Sequence, residues 1–413
     1  MCNCEQCGSS TPRERVRDAI QLVAKLIEPF GGTIVWMNCE DDPWGQRYET
    51  HYLCDMTSEI PENSFVATKQ NYWDFHPEWP RHPLYDLITK DSDGNSPYIS
   101  AIQEPGEYQG GHDFPWCNVD EWSGVFKDMA NAGMQGILVV AQVHHDGWDH
   151  PLNMVNWAAI TQYMHNPNAD PEQIKFSWAR EEFGLDVAST VVKVLDNVTE
   201  AARGAFEFDA LWTACHSLLP NLLYLDSHMC GPYRQVTRTT GMMGLGLPLD
   251  MYIPERANEI RAKRNIRMVF NRVAITPELK DQAMLQKQGA VKAMQTVVDL
   301  WNGLHGKIDV ETHEKVLVGL QGNRDDTIIF GHVMELYMDW KLGTLTEAKI
   351  DAVLSACIGL RGVIVPDPLT LEPEEATPNR DPVSLKTFAE ELRRELHEPW
   401  VEAYWEENPR GIF

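Results

Sequence analysis

Residues 11–160 alternate short apolar runs with helical patterns. Continuous β-branched runs lie at 33–38, 64–69, 98–103 and 136–143, and turn residues precede them. Runs of this kind are typical of strands that are buried on both faces of a parallel sheet. A helical pattern at 119–132, closed by Gly133, separates the last two runs. The alternation of strand and helix favours a parallel α/β sheet.

The pattern begins with a helix rather than with a strand. Thr11-Pro12-Arg13-Glu14 is a capping box with proline at the first helical position, and Gly31-Gly32 turns the chain into the first strand. Four parallel strands are half of an eightfold barrel. We therefore expect either an open four-stranded sheet or a half-barrel whose N-terminal half is missing. A half-barrel leaves one face to be covered by the missing half or by a homodimer partner.

From about residue 170 the pattern becomes helical. The segment 366–382 is rich in Pro, Glu and Asp and is interpreted as an exposed loop. We divide the chain into a barrel-type part, residues 1–165, and an all-α part, residues 166–413. Helices are predicted to start at Pro171 and to span 187–206, 266–273, 277–304, 309–320, 325–342, 346–360 and 384–408.

Charge and cysteine content restrict the class of protein. The net charge is −26, with 61 acidic against 35 basic residues, which argues against nucleic acid or an anionic membrane as a partner. No apolar run approaches the roughly 18 residues of a transmembrane helix. The N-terminus does not resemble a signal peptide, and the nine cysteines are mostly scattered. Cys117, Cys215, Cys230 and Cys357 are interpreted as reduced thiols, so we expect a cytoplasmic protein.

Two carboxylates carry the strongest chemical signal. Asp74 follows the second predicted strand, and Glu107 follows the third. The carboxyl ends of parallel strands are where barrel active sites are built, and paired carboxylates within aromatic surroundings suit glycosidic-bond hydrolysis. The alternative is that Asp74 only caps a loop and that Glu107 is solvated.

Other polar residues follow the same strands. Lys69 ends the second strand, where it would bind an anionic group or lower a carboxylate pKa; the alternative is a rim lysine. His144, Asp146 and Trp148 follow the fourth strand in the segment His144-His-Asp-Gly-Trp-Asp-His150. This segment lacks a closed metal-ligand set, so hydrogen bonds to sugar hydroxyls are favoured over a metal.

Cysteines and aromatic residues leave further alternatives. Cys2, Cys4 and Cys7 form a CxCxxC segment that is either a metal site or a loop of reduced thiols, and we favour the loop. Glu5 lies within this segment. The tryptophans near strand ends, which include Trp36, Trp73 and Trp148, divide between core packing and stacking on sugar rings.

Four sequence blocks together resemble glycoside hydrolase family 67, the α-glucuronidases. The likeness is to the second half of the family's catalytic barrel, strands 5–8, followed by its helical C-terminal part. It covers the chain well to about residue 235. The blocks are Pro29-Phe-Gly-Gly-Thr-Ile-Val-Trp36, Lys69-Gln-Asn-Tyr-Trp-Asp-Phe-His-Pro77, Glu107-Tyr-Gln-Gly110 and Trp148-Asp-His-Pro-Leu-Asn-Met-Val-Asn-Trp157.

The resemblance implies residue roles. Asp74 and Glu107 would be the base-side carboxylates of an inverting hydrolase, and Lys69 a uronate ligand. Two positions depart from the family: Met37 replaces the arginine that binds the uronate, and Glu5 is only a weak counterpart of the proton donor. We assign the remaining substrate contacts to Trp36, Asn38, Trp73, His76, His144, Asp146 and Trp148.

The sequence thus predicts a glycoside hydrolase acting on a uronic-acid-containing, glucuronoxylan-type oligosaccharide. No metal or other cofactor is needed for this route. The alternatives are a truncated inactive homologue, a carbohydrate-binding protein, or a related glycosidase of different sugar specificity.

Overall fold

The computed structural model describes residues 12–38, 59–69, 90, 92–103, 114–140, 150–208, 211–212, 219–229, 275–361, 363 and 383–407. A parallel sheet forms its first part, and its strands are hydrogen-bonded in the order of the chain. Sequential order means that each crossover moves in the same direction along the sheet, as in a barrel segment and unlike a doubly wound sheet. The predicted strands are confirmed as β1 (Ile34–Asn38), β2 (Ser64–Lys69), β3 (Tyr98–Gln103) and β4 (Ile137–Val140).

The remainder of the described chain is mostly helical. Helix α1 (Pro12–Ile27) precedes the sheet, and α2 (Val119–Asn131) lies between β3 and β4 in sequence. A small antiparallel hairpin, β5 (Glu207–Phe208) and β6 (Leu211–Trp212), follows α5. The later helices are α3 (Met154–His165), α4 (Pro171–Phe183), α5 (Leu185–Phe206), α6 (Leu222–Met229), α7 (Pro277–Asn302), α8 (Val310–Lys341), α9 (Glu347–Ala356), α10 (Leu385–His397) and α11 (Val401–Glu407).

Side-chain caps fix the starts of five of these helices. In each, a hydroxyl or carboxylate accepts a hydrogen bond from a backbone N–H two or three residues further on. A cap of this kind contributes about 1 kcal/mol, so these helix starts are encoded locally. The caps are Asp170 of α4, Thr276 of α7, Asp309 of α8, Thr346 of α9 and Ser384 of α10.

The longest helix corrects the prediction. Residues 309–320 and 325–342 were expected to form two helices, but α8 is one helix of 32 residues. Gly322 and Asn323 lie between the two predicted helices and are inside α8. Asn323 is buried, and a Cβ at Gly322 would lie 2.7 Å from the guanidinium carbon of Arg361. Tertiary contacts here override local propensity.

The C-terminal prediction is also corrected. The predicted helix over 384–408 is divided into α10 and α11. Pro399 cannot continue a helix. The buried Glu395 carboxylate accepts hydrogen bonds from the backbone N–H groups of Trp400 and Val401, at 2.8 and 2.9 Å, and so caps α11. The predicted helix over 266–273 and the predicted loop over 366–382 lie outside the described residues.

One continuous hydrophobic core joins the sheet to the helical region. It contains Val66 and Tyr98 of the sheet together with Val191 and Val298 of the helical region. This core has members on both sides of residue 165 and therefore does not mark the predicted domain boundary there. The boundary stays a prediction. None of the helices in the described ranges combines the length and apolar character needed to cross a bilayer.

Candidate functional site

The C-terminal ends of β1 to β4 meet at one edge of the parallel sheet. Cα pairs are Asn38 with Thr68, Lys69 with Ala101, and Gln103 with Val140. Asn38, Lys69 and Gln103 therefore end neighbouring strands on the same edge, which is where (β/α) barrels carry their active sites. The backbones of Asn38 and Lys69 lie at the strand ends that the sequence pattern predicts, but the structure does not describe their side chains.

One face of the sheet belongs to the main core. Val66 and Tyr98 are fully buried in that core, and Trp36 is half-buried and packs against it. Because Trp36 pairs with Val66 in register, the indole lies on the face that the helices cover. This position accounts for Trp36 as a packing residue, and its predicted role in stacking on sugar stays untested.

The opposite face of the sheet carries its own small apolar cluster. Ala67 and Ile99 are buried there, with Phe65 and Leu138 packed against them. In a barrel this face is the interior, where side chains of opposing strands fill the space. Val35, which pairs with Phe65 on the edge strand β1, is 46% exposed. The interior-type face is thus apolar at its centre and open at this edge.

Most of the other predicted site residues lie outside the described part of the chain, so their assignments stay predictions. These residues are Glu5, Trp73, Asp74, His76, Glu107, His144, Asp146 and Trp148. The CxCxxC segment of Cys2, Cys4 and Cys7 is also outside it. Of the cysteines interpreted as reduced thiols, Cys117 and Cys357 are free and buried.

His150, which ends the His- and Asp-rich segment, is described. Its Nδ1 accepts a hydrogen bond from the Leu152 N–H at 3.1 Å and caps the 3-10 turn Pro151–Asn153. The proton of the neutral ring is therefore on Nε2, and that atom is buried. Burial, and then the charge of Lys315, lowers the pKa of His150 to about 4. At neutral pH His150 is an uncharged ring with an inward-facing donor.

A charge cluster that the sequence analysis missed lies between α2, α4 and α5. Lys175 is buried, and its Nζ contacts Asp120, Glu172 and Asp196 at 3.1, 2.5 and 2.7 Å. Burial alone would lower the pKa of Lys175, but the three carboxylates outweigh it and raise that pKa. The sequence analysis missed this cluster because the sequence around Lys175 is typical of an ordinary polar position of a helix.

Among the residues that the structure describes, the three carboxylates of this cluster are close enough together to hold one metal ion. The carboxylate oxygens of Asp120, Glu172 and Asp196 lie within 4.8 Å of one another. The ammonium of Lys175 already occupies the position between them that a cation would take. The arrangement is therefore a charge-compensated link between three helices, because a metal would have to displace Lys175.

A cavity of about 370 Å³ adjoins the cluster. Cys117 lines it, and burial raises the pKa of this thiol to about 12. The Cys117 backbone exchanges hydrogen bonds of 3.1 Å with the Thr199 hydroxyl. Because the thiol stays protonated at neutral pH, Cys117 is not a nucleophile here. The cavity lies between the start of α2 and the C-terminal half of α5.

A second cysteine lies in a more polar environment. Hydrogen bonds to Cys357 and then to Glu335 raise the pKa of His332 to about 9. The His332 Nδ1 is 3.2 Å from Glu335 Oε2, and Cys357 is fully buried. At neutral pH the imidazolium thus links α8 to the end of α9. The sequence analysis gave Cys357 no partner, because the three residues come together only in the folded chain.

Comparison with known proteins gives little further constraint. No family model matches the chain, and no curated protein matches it. The resemblance to glycoside hydrolase family 67 therefore rests on the four sequence blocks. Among solved structures, the chain is similar to a GH138 enzyme targeting pectin rhamnogalacturonan II, with 11% identity and a TM-score of 0.47. The match covers 92% of this chain and 48% of that one, so the chain spans about half the length of that enzyme.

Proposed function

We propose that this chain is a glycoside hydrolase that acts on a uronic-acid-containing oligosaccharide. The observation that carries the proposal is the parallel register, which ends β2 at Lys69 and β3 at Gln103 on neighbouring strands. Asp74 follows the first strand end by five residues and Glu107 follows the second by four. Neighbouring strands are about 4.8 Å apart, and we propose on this ground that both carboxylates belong to one region of the sheet edge.

Covalent geometry limits how far each carboxylate can lie from the end of its own strand. Five extended residues span at most about 18 Å and four at most about 14 Å. In an inverting reaction the general acid and the general base, on opposite faces of the sugar, are about 6.5–9.5 Å apart, which leaves room for the attacking water. Asp74 and Glu107 would act on the water side, with one as general base and the other orienting it. A carboxylic acid on the opposite face of the sugar protonates the leaving oxygen, and Glu5 is the residue of this chain proposed for it.

Recognition of the uronate is assigned to Lys69. Arginine usually binds a carboxylate through two parallel hydrogen bonds, and the chain has Met37 where the resembling family has arginine. A lysine provides the charge without the bidentate geometry. We therefore expect a preference for uronic acid over neutral sugars that depends on Lys69.

A second candidate is a protein that binds oligosaccharide without hydrolysing it. An exposed apolar stripe on α1 and the turn after it favours this candidate, because exposed apolar patches mark interaction surfaces: Leu22, Leu26 and Phe30 are 59%, 62% and 87% exposed. They are spaced four residues apart and so lie on one side of α1 and the turn after it. Measuring oligosaccharide binding beside hydrolysis separates the two candidates.

The test of the proposed function is a substrate comparison. An aldobiouronic acid and its neutral-sugar analogue are supplied to the full chain, and release of reducing sugar is measured. The proposal expects turnover of the acidic substrate with inversion at the anomeric carbon, and NMR of the first-formed product detects the inversion. Binding of both sugars without turnover would support the second candidate instead.

A further inference from the structure

His150 and Asn323 each carry a buried polar atom that lacks a hydrogen-bond partner in the described part of the chain. Asn323 is 1% exposed, and neither its Nδ2 nor its Oδ1 has a partner there. The buried Nε2 of His150 also has none. Buried polar groups in native proteins are almost always hydrogen-bonded, so such groups need an explanation. Here the two groups come from different parts of the chain, the segment after β4 and helix α8.

Gly319 brings these two groups to the same place. A Cβ built on Gly319 would have the His150 Nε2 as its neighbour, at 4.0 Å, with nothing nearer. Asn323 is four residues further along α8. Helical side chains lean towards the N-terminus and lie over the residue four positions earlier, so Asn323 leans over Gly319. Gly319 therefore lies beside the His150 Nε2 and one helical turn before Asn323.

The chemistry of the pair selects one kind of ligand atom. The His150 Nε2–H can only donate, because Nδ1 already accepts from Leu152. Asn323 offers both a donor, Nδ2–H, and an acceptor, Oδ1. A group that satisfies the His150 Nε2–H and the Asn323 Oδ1 together must accept from the first and donate to the second. A hydroxyl oxygen does this, whereas a carboxylate cannot donate and an ammonium cannot accept.

We propose that His150, Gly319 and Asn323 form a binding site for a single hydroxyl oxygen, and that in the substrate complex this hydroxyl belongs to the sugar. The sugar assignment rests on the proposed function, because His150 lies ten residues after the C-terminal end of β4. In the absence of sugar, a water molecule supplies the same donor and acceptor. The site would make α8 a contributor to substrate specificity.

The first experiment tests whether the site holds a ligand oxygen. Gly319→Ala places a methyl beside the His150 Nε2, and Gly289→Ala is the matched control, because Gly289 lies in α7 with nothing within 4 Å of an added Cβ. Alanine favours helix over glycine, so Gly289→Ala should raise Tm. If an oxygen is bound, Gly319→Ala should give a smaller rise than the control, or a fall. A rise as large as that of Gly289→Ala would overturn the site.

Asn323→Leu gives an independent readout. Replacing an orphaned buried amide with an apolar side chain of similar size is neutral or stabilising, whereas replacing a satisfied amide is destabilising. The site therefore predicts a lower Tm for Asn323→Leu. An unchanged or higher Tm would show that the amide has no ligand.

The second experiment identifies the source of the oxygen. Histidine-selective ¹⁵N labelling gives the His150 Nε2 resonance, assigned by its loss in His150→Gln, and D-xylose and D-glucuronic acid are titrated as probes. A saturable shift in the wild type that Asn323→Leu abolishes assigns the site to a sugar hydroxyl. A long-lived water contact to Nε2–H without a sugar-induced shift assigns it to water and overturns the sugar part. Absence of both signals overturns the proposal.

These outcomes can be told apart from failure of the proposed function. Hydrolysis without a shift at His150 would leave the glycosidase proposal standing and remove only this subsite. A shift without hydrolysis of any oligosaccharide would retain the subsite and remove the hydrolase activity. The resonance and the reducing-sugar assay are measured on the same full-length protein.

Discussion

Lys175→Met is the sharpest test of how the helical region is held together. The substitution keeps the long unbranched side chain but removes the ammonium that contacts Asp120, Glu172 and Asp196. Removing one partner of a fully buried ion pair costs about 3–5 kcal/mol. Here the three carboxylates are 60%, 63% and 46% exposed and can rehydrate, so the expected loss is smaller. We expect about 2 kcal/mol, the value of one or two hydrogen bonds to charged groups after screening.

The assay is thermal unfolding at several salt concentrations. Unfolding entropy of about 2.1 cal/mol/K per residue converts about 2 kcal/mol into a Tm decrease of about 2–3 °C for a chain of this length. Salt screens attraction in the wild type and carboxylate repulsion in the variant, so the difference in Tm should shrink as NaCl is added.

Lys193→Met is the matched control for this substitution. Lys193 is an exposed lysine on α5, so its replacement changes net charge equally and should alter stability by less than about 0.5 kcal/mol. The reasoning fails if Lys175→Met is no more destabilising than Lys193→Met. It also fails if the Tm difference from wild type grows with salt.

Three further predictions concern acid stability, helix packing and specificity. The pKa of His150 is about 4 in the folded chain and 6.5 ordinarily, so the unfolded chain binds the proton more readily. Stability should therefore fall as pH drops from about 6.5 towards 4, by at most about 3 kcal/mol. The variant His150→Gln should flatten this part of the pH profile measured by urea unfolding. Gly204→Ala would place a methyl 2.6 Å from the Ala290 Cβ and force α5 and α7 apart. The expected cost, measured by urea unfolding, is about 1–3 kcal/mol. A cost no greater than that of Gly289→Ala would refute the close contact. Lys69→Ala should equalise kcat/KM for acidic and neutral oligosaccharides; equal values already in the wild type would remove the uronate assignment.

The sheet was predictable because its signal is local. Each strand is a continuous apolar run, and the observed β2 and β3 have the predicted bounds. Helix starts were predictable where a capping residue stands, as at Thr276 and Asp309. The predicted gap between residues 320 and 325 was wrong: both Gly322, beside Arg361, and the buried Asn323 lie within α8.

The candidate site was predictable only as positions along the chain. Strand ends could be located from the sequence, and the register then places Lys69 and Gln103 on neighbouring strands. The groups that the sequence analysis missed are assembled from distant segments. Lys175 draws carboxylates from three helices, and His150 meets α8 at Gly319 more than 150 residues later. No local pattern encodes such a meeting.

The most direct test of the central claim is the loss of hydrolysis in Asp74→Ala and Glu107→Ala. Glu62→Ala is the matched control, because Glu62 is an exposed carboxylate just before β2, at the opposite end of the strand from Asp74. With an aldobiouronic acid as substrate, loss of a general base should lower kcat by roughly two or more decades in each of the first two variants, while Glu62→Ala keeps wild-type turnover. A loss of less than tenfold in both Asp74→Ala and Glu107→Ala would contradict the assignment of this edge of the sheet as the active site.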